Sequence, residues 1–161
     1  MAKRHVGVAS DFSPCSRAAL RWASRNVVRS GDRLVLVHVV ACYQKEQGVV
    51  HLWERTGSPL IPFNELSDPS VTKRYGISPD KETLDILAHV ANLQGVEVVA
   101  KIYWGNPMKK LFEAIESMPL HCLVMGSRGL SKVKRAFLGS VSRYCVNNAT
   151  CPVTVVKEQS K

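Results

Sequence analysis

One stretch of the chain, LVLVHVV at residues 34–40, places apolar side chains on both faces of an extended segment. A strand with one face in water alternates apolar and polar residues, whereas a strand covered by helices on both sides is an almost unbroken apolar run. Residues 34–40 are therefore predicted to form a buried strand of a parallel sheet. A shorter apolar run at residues 6–9 precedes this stretch and predicts a neighbouring strand.

Helical patterns separate the predicted strands. Ser13 and Pro14 suit the N-cap and the first position of a helix, and apolar residues then recur at helical spacing up to residue 27. Further helices are predicted to begin at Ser78-Pro79, Asn106-Pro107 and Ser140, the last ending at Asn148. The remaining strands are predicted at residues 96–104, 121–125 and 153–156. This alternation predicts an α/β fold with a doubly wound parallel sheet.

The chain is interpreted as one domain over residues 1–161, interrupted by a long insertion. Regular periodicity is lost between residues 42 and 77, where glycine and proline recur while apolar side chains persist. We therefore expect residues 42–77 to be an insertion or long loop that packs over one face of the domain.

Composition excludes several classes of protein. The 161 residues are 45% hydrophobic and 22% charged, which is ordinary for a globular domain. No apolar run approaches the roughly 20 residues of a membrane span, and no signal peptide is recognisable, so we expect a cytoplasmic protein without membrane association, the nucleus being the alternative. Five cysteines without a Cys-x-x-Cys pair argue against a disulfide framework and a zinc site. The net charge of +9 favours polyanionic partners, namely nucleotides, nucleic acids or acidic membranes.

A glycine-rich, basic segment follows the predicted strand at residues 121–125. It begins with Gly126, Arg128 and Gly129, and Gly139 and Ser140 lie at the start of the last helix. Glycines bring backbone N–H groups against an anion, and a helix N-terminus adds unpaired donors and partial positive charge. The segment therefore predicts a phosphate site. A glycine-rich connection with a solvated basic face is the structural alternative.

Other familiar catalytic and binding patterns are absent from the sequence. The glycine segment matches neither the P-loop nor the dinucleotide fingerprint, and no G-x-S-x-G elbow occurs. The five histidines show no pair at i, i+4 spacing and are interpreted as structural. Cys145 and Cys151 are close in sequence but lack an activating context, so they are interpreted as core residues.

The chain resembles the universal stress protein family over nearly its whole length. The glycine segment, written Gly126-x2-Gly129-x9-Gly139-Ser140, is similar to the ATP-binding signature of that family. Further matches are Leu123-Val124-Met125 before it, Val141 after it, Ser10-Asp11-Phe12-Ser13, Leu36-Val37-His38-Val39, and the plant-like segments from Leu52 to Pro62, Tyr103-Trp104-Gly105 and Cys151-Pro152-Val153-Thr154.

This resemblance implies a Rossmann-like fold of the adenine nucleotide alpha hydrolase kind, with a five-stranded parallel sheet of order 3-2-1-4-5 and helices on both faces. It implies that ATP or AMP is bound where strands one and four diverge, at the topological switch point. It also implies a homodimer formed through the edge strand Val153–Val156. The residues that it assigns to the nucleotide are Ala9, Ser10, Asp11, Val39, Met125, Gly126, Arg128, Gly129, Gly139, Ser140 and Val141.

Asp11 is a carboxylate in a site predicted to hold phosphates. This arrangement is repulsive unless Asp11 accepts hydrogen bonds from ribose or adenine, or faces a cation such as Mg²⁺. The structural alternative is an aspartate that forms a turn before the first helix.

The leading hypothesis is a regulatory, stress-related protein that binds an adenine nucleotide and is not an efficient enzyme, because no general base is evident. One rival is a slow Mg²⁺-dependent ATPase or phosphotransferase in which Asp11 helps to hold the metal. The other rival is a nucleic-acid-binding or chaperone-like module that uses the basic loop.

Overall fold

The computed structural model describes residues 3–41, 50–127 and 139–157. Within these ranges the strands are β1 (His5–Ala9), β2 (Arg33–Val40), β3 (Ile61–Pro62), β4 (Glu97–Trp104), β5 (Cys122–Gly126) and β6 (Val153–Val156). The helices are α1 (Pro14–Asn26), α2 (Val50–Trp53), α3 (Pro69–Tyr75), α4 (Lys81–Leu93), α5 (Pro107–Ser117) and α6 (Ser140–Asn148), with a 3-10 helix at Phe63–Ser67.

The sheet has the strand order β3-β4-β2-β1-β5-β6. All pairs are parallel except that of β3 with β4. Without β3, the order is the 3-2-1-4-5 arrangement expected from the sequence, so the predicted α/β fold is confirmed. The expected number of five strands is wrong, because β3 adds a sixth strand beside β4. Two residues that include a proline carry no strand periodicity, which is why the sequence did not indicate β3.

Both faces of β2 are buried, as the apolar run at residues 34–40 predicts. Leu34 and Leu36 are fully buried in the cluster that includes Leu20 of α1. Val35 and Val37 are 1% exposed and belong to the cluster on the other face, which includes residues of α5 and α6. Alternate residues of β2 therefore pack into two different hydrophobic cores, one on each face of the sheet. Strands β1 and β2 are the two central strands of the sheet.

The ends of the helices follow local capping chemistry. Ser13 caps α1 with Pro14 at the first position, as predicted, and the bounds of α6 and β6 also agree with prediction. The second predicted helix begins later than expected, at Lys81, because Asp80 rather than Ser78 caps it and accepts from the Thr83 N–H at 3.1 Å. No helix in the described ranges has the length and apolar character needed to cross a membrane.

Residues 50–77 contain α2, β3, the 3-10 helix and α3, and they pack along β4. The Ser58 N–H donates to the Ile102 carbonyl at 2.8 Å, and the Ile102 N–H donates to Ser58 Oγ at 2.9 Å. Farther along, the Trp104 indole N–H donates to the Tyr75 carbonyl at 3.0 Å. These bonds cover the edge of the sheet at β4.

Candidate functional site

A cavity of about 330 Å³ lies at the carboxyl ends of β1, β2 and β5. The strand order reverses here. From the central strand β1, the sheet grows through β2 and β4 on one side and through β5 and β6 on the other. Open α/β sheets bind their ligands at such a switch point. The cavity is lined by Ala9, Ser10, Asp11, Ser16, Val37, Val39, Ala41, Pro107, Leu111, Met125, Gly126, Gly139, Ser140, Val141 and Ser142.

The fold brings most of the predicted site residues together around this cavity. They are Ala9, Ser10, Asp11, Val39, Met125, Gly126, Gly139, Ser140 and Val141. Arg128 and Gly129, which were predicted with them, lie outside the described residues, as do the other basic residues of residues 128–138. The assignment of all these residues to a nucleotide stays a prediction.

Sequence reasoning missed six lining residues, namely Ser16, Val37, Ala41, Pro107, Leu111 and Ser142. Pro107 and Leu111 are four residues apart on α5 and therefore share one helix face. The available signal was that α5 follows β4, so its first turn begins at the same end of the sheet as the predicted site.

A tight turn after β1 places Asp11 at the cavity. The Phe12 N–H donates to Ser10 Oγ at 3.1 Å, and the Ser13 N–H donates to Asp11 Oδ1 at 3.0 Å. Phe12 has a φ of 63°, and among the described residues it is the only one other than glycine with a positive φ. This conformation is rare for a bulky side chain, so the surrounding contacts must maintain it.

His38 of β2 supports this turn. Its Nδ1 lies 2.8 Å from the Ser10 carbonyl oxygen, and its ring packs against the Phe12 ring at a tilt of 31°, with 4.3 Å between centroids. Because a carbonyl only accepts, Nδ1 carries the proton. Burial lowers the pKa of His38, and the Ser10 carbonyl and the Asp11 charge oppose this effect only in part. The ring is therefore neutral near pH 7.

The N-terminus of α6 lies at the cavity, because Gly139, Ser140 and Val141 line it. Gly139 occupies the N-cap position, and among the described residues no side chain caps the helix. The first N–H groups of a helix have no partner within it and carry partial positive charge. Ser142 fixes this helix end against β5, because its Oγ donates to the Gly126 carbonyl at 2.7 Å.

Ser127 and Gly139, the described residues on either side of the basic segment, are hydrogen-bonded to each other beside the cavity. The Gly139 N–H donates to the Ser127 carbonyl, and the Ser127 N–H donates to the Val156 carbonyl at 3.0 Å. The chain therefore leaves at Ser127 and returns at Gly139 next to the cavity, and the end of β6 anchors this point.

The two halves of the cavity differ in chemistry. Val37, Val39 and Leu111 supply apolar surface suited to a planar ring, and the α6 N-terminus supplies donors suited to an anion. Asp11 is the only charged side chain among the described lining residues. Within the part of the chain that the structure describes, no group of three His, Cys, Asp or Glu side chains could hold a metal ion.

The fold and the cavity together define a doubly wound α/β protein with a cavity at the switch point of the sheet, the place where open α/β sheets bind ligands. The model of the family described as "Universal stress protein family" matches residues 3–157. The chain belongs to this family.

Curated relatives include two universal stress proteins from Arabidopsis thaliana. The chain is 33% identical to PHOS32 over 169 residues, an alignment that covers 97% of this chain and 65% of the relative. It is 34% identical to PHOS34 over 170 residues, covering 97% of this chain and 62% of the relative. The chain therefore spans less than two thirds of the length of these two relatives.

Solved structures share the fold. A universal stress protein family protein from Arabidopsis thaliana with AMP bound has a TM-score of 0.56 and 24% identity, covering 98% of this chain and 93% of that one. A universal stress protein from Archaeoglobus fulgidus in complex with dAMP has a TM-score of 0.55 and 16% identity, covering 97% and 98%. At these identities the likeness establishes the fold alone.

Proposed function

We propose that this universal stress protein binds an adenine nucleotide, ATP or AMP, as a regulatory ligand in a stress response. The observation that carries the proposal is the cavity at the switch point, where the N-terminus of α6, which no described side chain caps, faces the turn that holds Asp11. The AMP and dAMP bound by proteins of the same fold support an adenylate as the ligand.

The two halves of the cavity suggest how the nucleotide lies. Phosphate oxygens would accept from the first N–H groups of α6, at Ser140 and Val141, close to Gly126. Adenine and ribose would lie toward Val39 and the turn at residues 9–11, with Asp11 accepting from ribose or base. The predicted contributions of Arg128 and Gly129 belong to the phosphate end.

Isothermal titration calorimetry at low salt tests this proposal with ATP and AMP, each with and without Mg²⁺. Ser140 is exposed at the first position of α6, so Ser140→Asp puts a negative charge where phosphate would bind and still suits a helix N-terminus. We expect this variant to fold and to lose at least about tenfold in affinity, whereas the neutral Ser140→Asn stays close to wild type. A wild-type protein that gives no heat and no thermal shift with any adenylate would refute the proposal.

Mg²⁺ is proposed only as a companion of the triphosphate, with Asp11 facing it indirectly. The rival hypothesis of a slow ATPase predicts steady phosphate release that requires Mg²⁺ and is lost in Asp11→Asn. Asp85→Asn is the matched control, because Asp85 is exposed on α4 and does not line the cavity. Turnover that survives Asp11→Asn would not arise from this site.

The nucleic-acid rival is tested by competition. Binding of RNA or DNA to the basic segment would weaken steeply as salt increases. If ATP displaces the nucleic acid, the two ligands share the cavity. If binding persists at saturating ATP, an additional site for polyanions exists, and the net charge of +9 would attract nucleic acid to a surface outside the cavity.

We also propose a homodimer through β6. In the described residues β6 pairs with β5 alone, and its residues are half-buried, while the other edge of the sheet is covered by residues 58–62. Pro152 and Val156 direct their carbonyls to β5, so Val153 and Val155 direct their backbone groups outward. In sedimentation experiments Val155→Pro should dissociate the dimer, whereas Thr154→Pro, which removes a donor directed to β5, should destabilise the monomer. A dimer that persists in Val155→Pro would use another surface.

The proposed compartment is the cytoplasm. Cys15, Cys122, Cys145 and Cys151 are free thiols, which agrees with a reducing environment. Imaging a fluorescent fusion in cells tests this assignment and distinguishes the cytoplasm from the nucleus.

A further inference from the structure

We propose that His38 and Arg17 are positioning residues that hold Phe12 in its left-handed conformation and thereby fix Ser10 and Asp11 at the nucleotide cavity. This inference rests on the proposed nucleotide binding and deepens it. Neither His38 nor Arg17 lines the cavity, so both would act through the turn and not by touching the ligand.

The turn needs such support because of Phe12. At a φ of 63° the side chain of a non-glycine residue crowds its own backbone, and the conformation persists only where the surroundings hold it. Phe12 lies between Ser10 and Asp11 on one side and the N-cap Ser13 on the other. If Phe12 returned to a negative φ, the chain would change direction at this point and Asp11 would leave its place at the cavity.

His38 holds the turn from the sheet. Its Nδ1–H donates to the carbonyl of Ser10, and its ring lies against the ring of Phe12. The backbone N–H of Ser10 donates to the Val37 carbonyl at 2.9 Å, so the two neighbouring residues of β2 fix both polar backbone groups of Ser10.

Arg17 holds the turn from the helices. Its Nη1 donates to the Phe12 carbonyl at 3.1 Å and also contacts Asp80 Oδ2 at 3.1 Å. The Arg17 side chain is only 15% exposed, and Asp80 is the N-cap of α4. A planar guanidinium can bridge two such acceptors, whereas a lysine ammonium on a flexible stem does not reproduce this geometry. The carbonyls on both sides of Asp11, those of Ser10 and Phe12, are thus each held by a cationic or imidazole donor.

The first test compares two substitutions of His38. His38→Leu removes the donor and leaves the Ser10 carbonyl buried without it, so we expect ATP or AMP affinity to fall about tenfold. His38→Asn keeps an amide donor close to the position of Nδ1, so its affinity should stay within about threefold of wild type. Rescue by Asn distinguishes a role in positioning from one in packing, because Asn fills the space of the ring less well than Leu.

A double-mutant cycle links His38 to Phe12. Asn adopts the left-handed conformation more readily than other non-glycine residues. In a Phe12→Asn background the turn needs less support, so His38→Leu should reduce nucleotide affinity by much less than it does in wild type. Equal losses in both backgrounds would overturn the proposal.

Arg17 is tested against a neighbour on the same helix. Arg17→Lys should weaken nucleotide binding severalfold, because it loses the bridge between the Phe12 carbonyl and Asp80. Arg21→Lys is the matched control: Arg21 is a half-exposed arginine one turn along α1 that pairs with Glu82 and does not contact the turn. Equal affinities of the Arg17 and Arg21 variants would count against the role of Arg17.

A readout that needs no nucleotide separates this inference from the proposed function. The distance between the amide and α protons of Phe12 is short only at positive φ, so its nuclear Overhauser effect reports the turn directly. It should weaken in His38→Leu and persist in His38→Asn, and an unchanged effect in His38→Leu would overturn the inference. If wild-type protein binds no adenylate but the effect behaves as expected, the proposed function fails and the support of the turn stands.

Discussion

Gly126 and Cys15 approach so closely that position 126 has no room for a side chain. A Cβ on Gly126 would lie 2.7 Å from Cys15 Sγ and 3.0 Å from the Cys15 carbonyl oxygen. Cys15 is in the first turn of α1, and Gly126 is the last residue of β5. This contact brings the start of α1 against the end of β5, which forms one side of the cavity. It also explains why position 126 is a glycine, since any larger residue would collide with Cys15.

Gly126→Ala should therefore destabilise the fold and enlarge the distance between α1 and β5. Because one of the colliding atoms is a backbone oxygen, movement of the Cys15 side chain cannot relieve the contact, and we expect a loss of about 1–3 kcal/mol. Chemical denaturation measures the loss. Gly7→Ala is the control: the Cβ there meets Leu120 Cδ1 at 2.8 Å, which is the end of a flexible side chain, so its loss should be smaller.

Ser142→Ala should destabilise the attachment of α6 to β5. The variant removes the hydroxyl that donates to the Gly126 carbonyl, so the expected loss in the free energy of unfolding is about 1–2 kcal/mol. Nucleotide affinity should fall as well, because the N-terminus of α6 loses its fixed position. Ser24→Ala is the matched control, since Ser24 Oγ donates to the Arg21 carbonyl on an exposed helix face, and its effect should stay within about 0.5 kcal/mol. Equal effects of the two substitutions would contradict this account.

The stability of the protein should decrease when the pH is lowered through the range in which histidine titrates. The pKa of His38 is lowered in the folded state by burial, so the unfolded chain binds a proton that the folded chain does not. This contribution is complete above the unfolded pKa of about 6.5 and is lost as the pH falls from there toward the folded pKa. Denaturation curves between about pH 7.5 and pH 5.5 measure it.

Two variants show which histidine causes this pH dependence of stability. His38→Asn has no titrating group at this position and should flatten the curve. The pKa of His5 is also lowered, by burial first and by the charge of Arg33, so His5→Gln removes a separate and more exposed contribution. A curve that changes with His5→Gln alone would show that His38 does not titrate in this range.

Asp32→Asn should destabilise the protein at neutral pH. Burial alone would raise the pKa of Asp32, but the hydrogen bond from Arg4 and the Arg29 N–H outweigh it, and the pKa is lowered. Arg4 contacts both carboxylate oxygens, at 2.6 Å and 3.1 Å. The stabilisation by the ionised Asp32 carboxylate is present above the pKa of Asp32 in the unfolded chain and is lost as the pH falls through its pKa in the folded protein. We expect a loss of about 1–3 kcal/mol at pH 7 that shrinks in acid, whereas the exposed Asp85→Asn stays near wild type at both pH values.

Periodicity and capping predicted the parts of the fold that depend on long, regular segments. The run at residues 34–40 identified β2, and the Ser13-Pro14 pair identified the start of α1. Prediction failed where a tertiary contact decided the structure. Strand β3 exists because Ile61 and Pro62 lie beside β4, which is a relationship between distant segments that leaves no local pattern.

The candidate site was predicted from a motif and a family resemblance, which identify the residues within the motif better than the lining residues outside it. Pro107 and Leu111 were missed because an apolar helix face looks the same whether it meets a core or a cavity. The conformation of Phe12 was not predictable, because nothing in a phenylalanine indicates a positive φ. His38 was interpreted as structural, and the structure places its donor against the turn that carries Asp11.

The bond from the Ser127 N–H to the Val156 carbonyl ties the edge strand β6 to the chain beside the cavity, although no residue of β6 lines the cavity. A protein that ends a few residues before Val156 would lose this bond, and with it one support of the chain beside the cavity at Ser127, although every described lining residue would still be present. Tags, fusions and deletion boundaries in this chain should therefore lie beyond Val156.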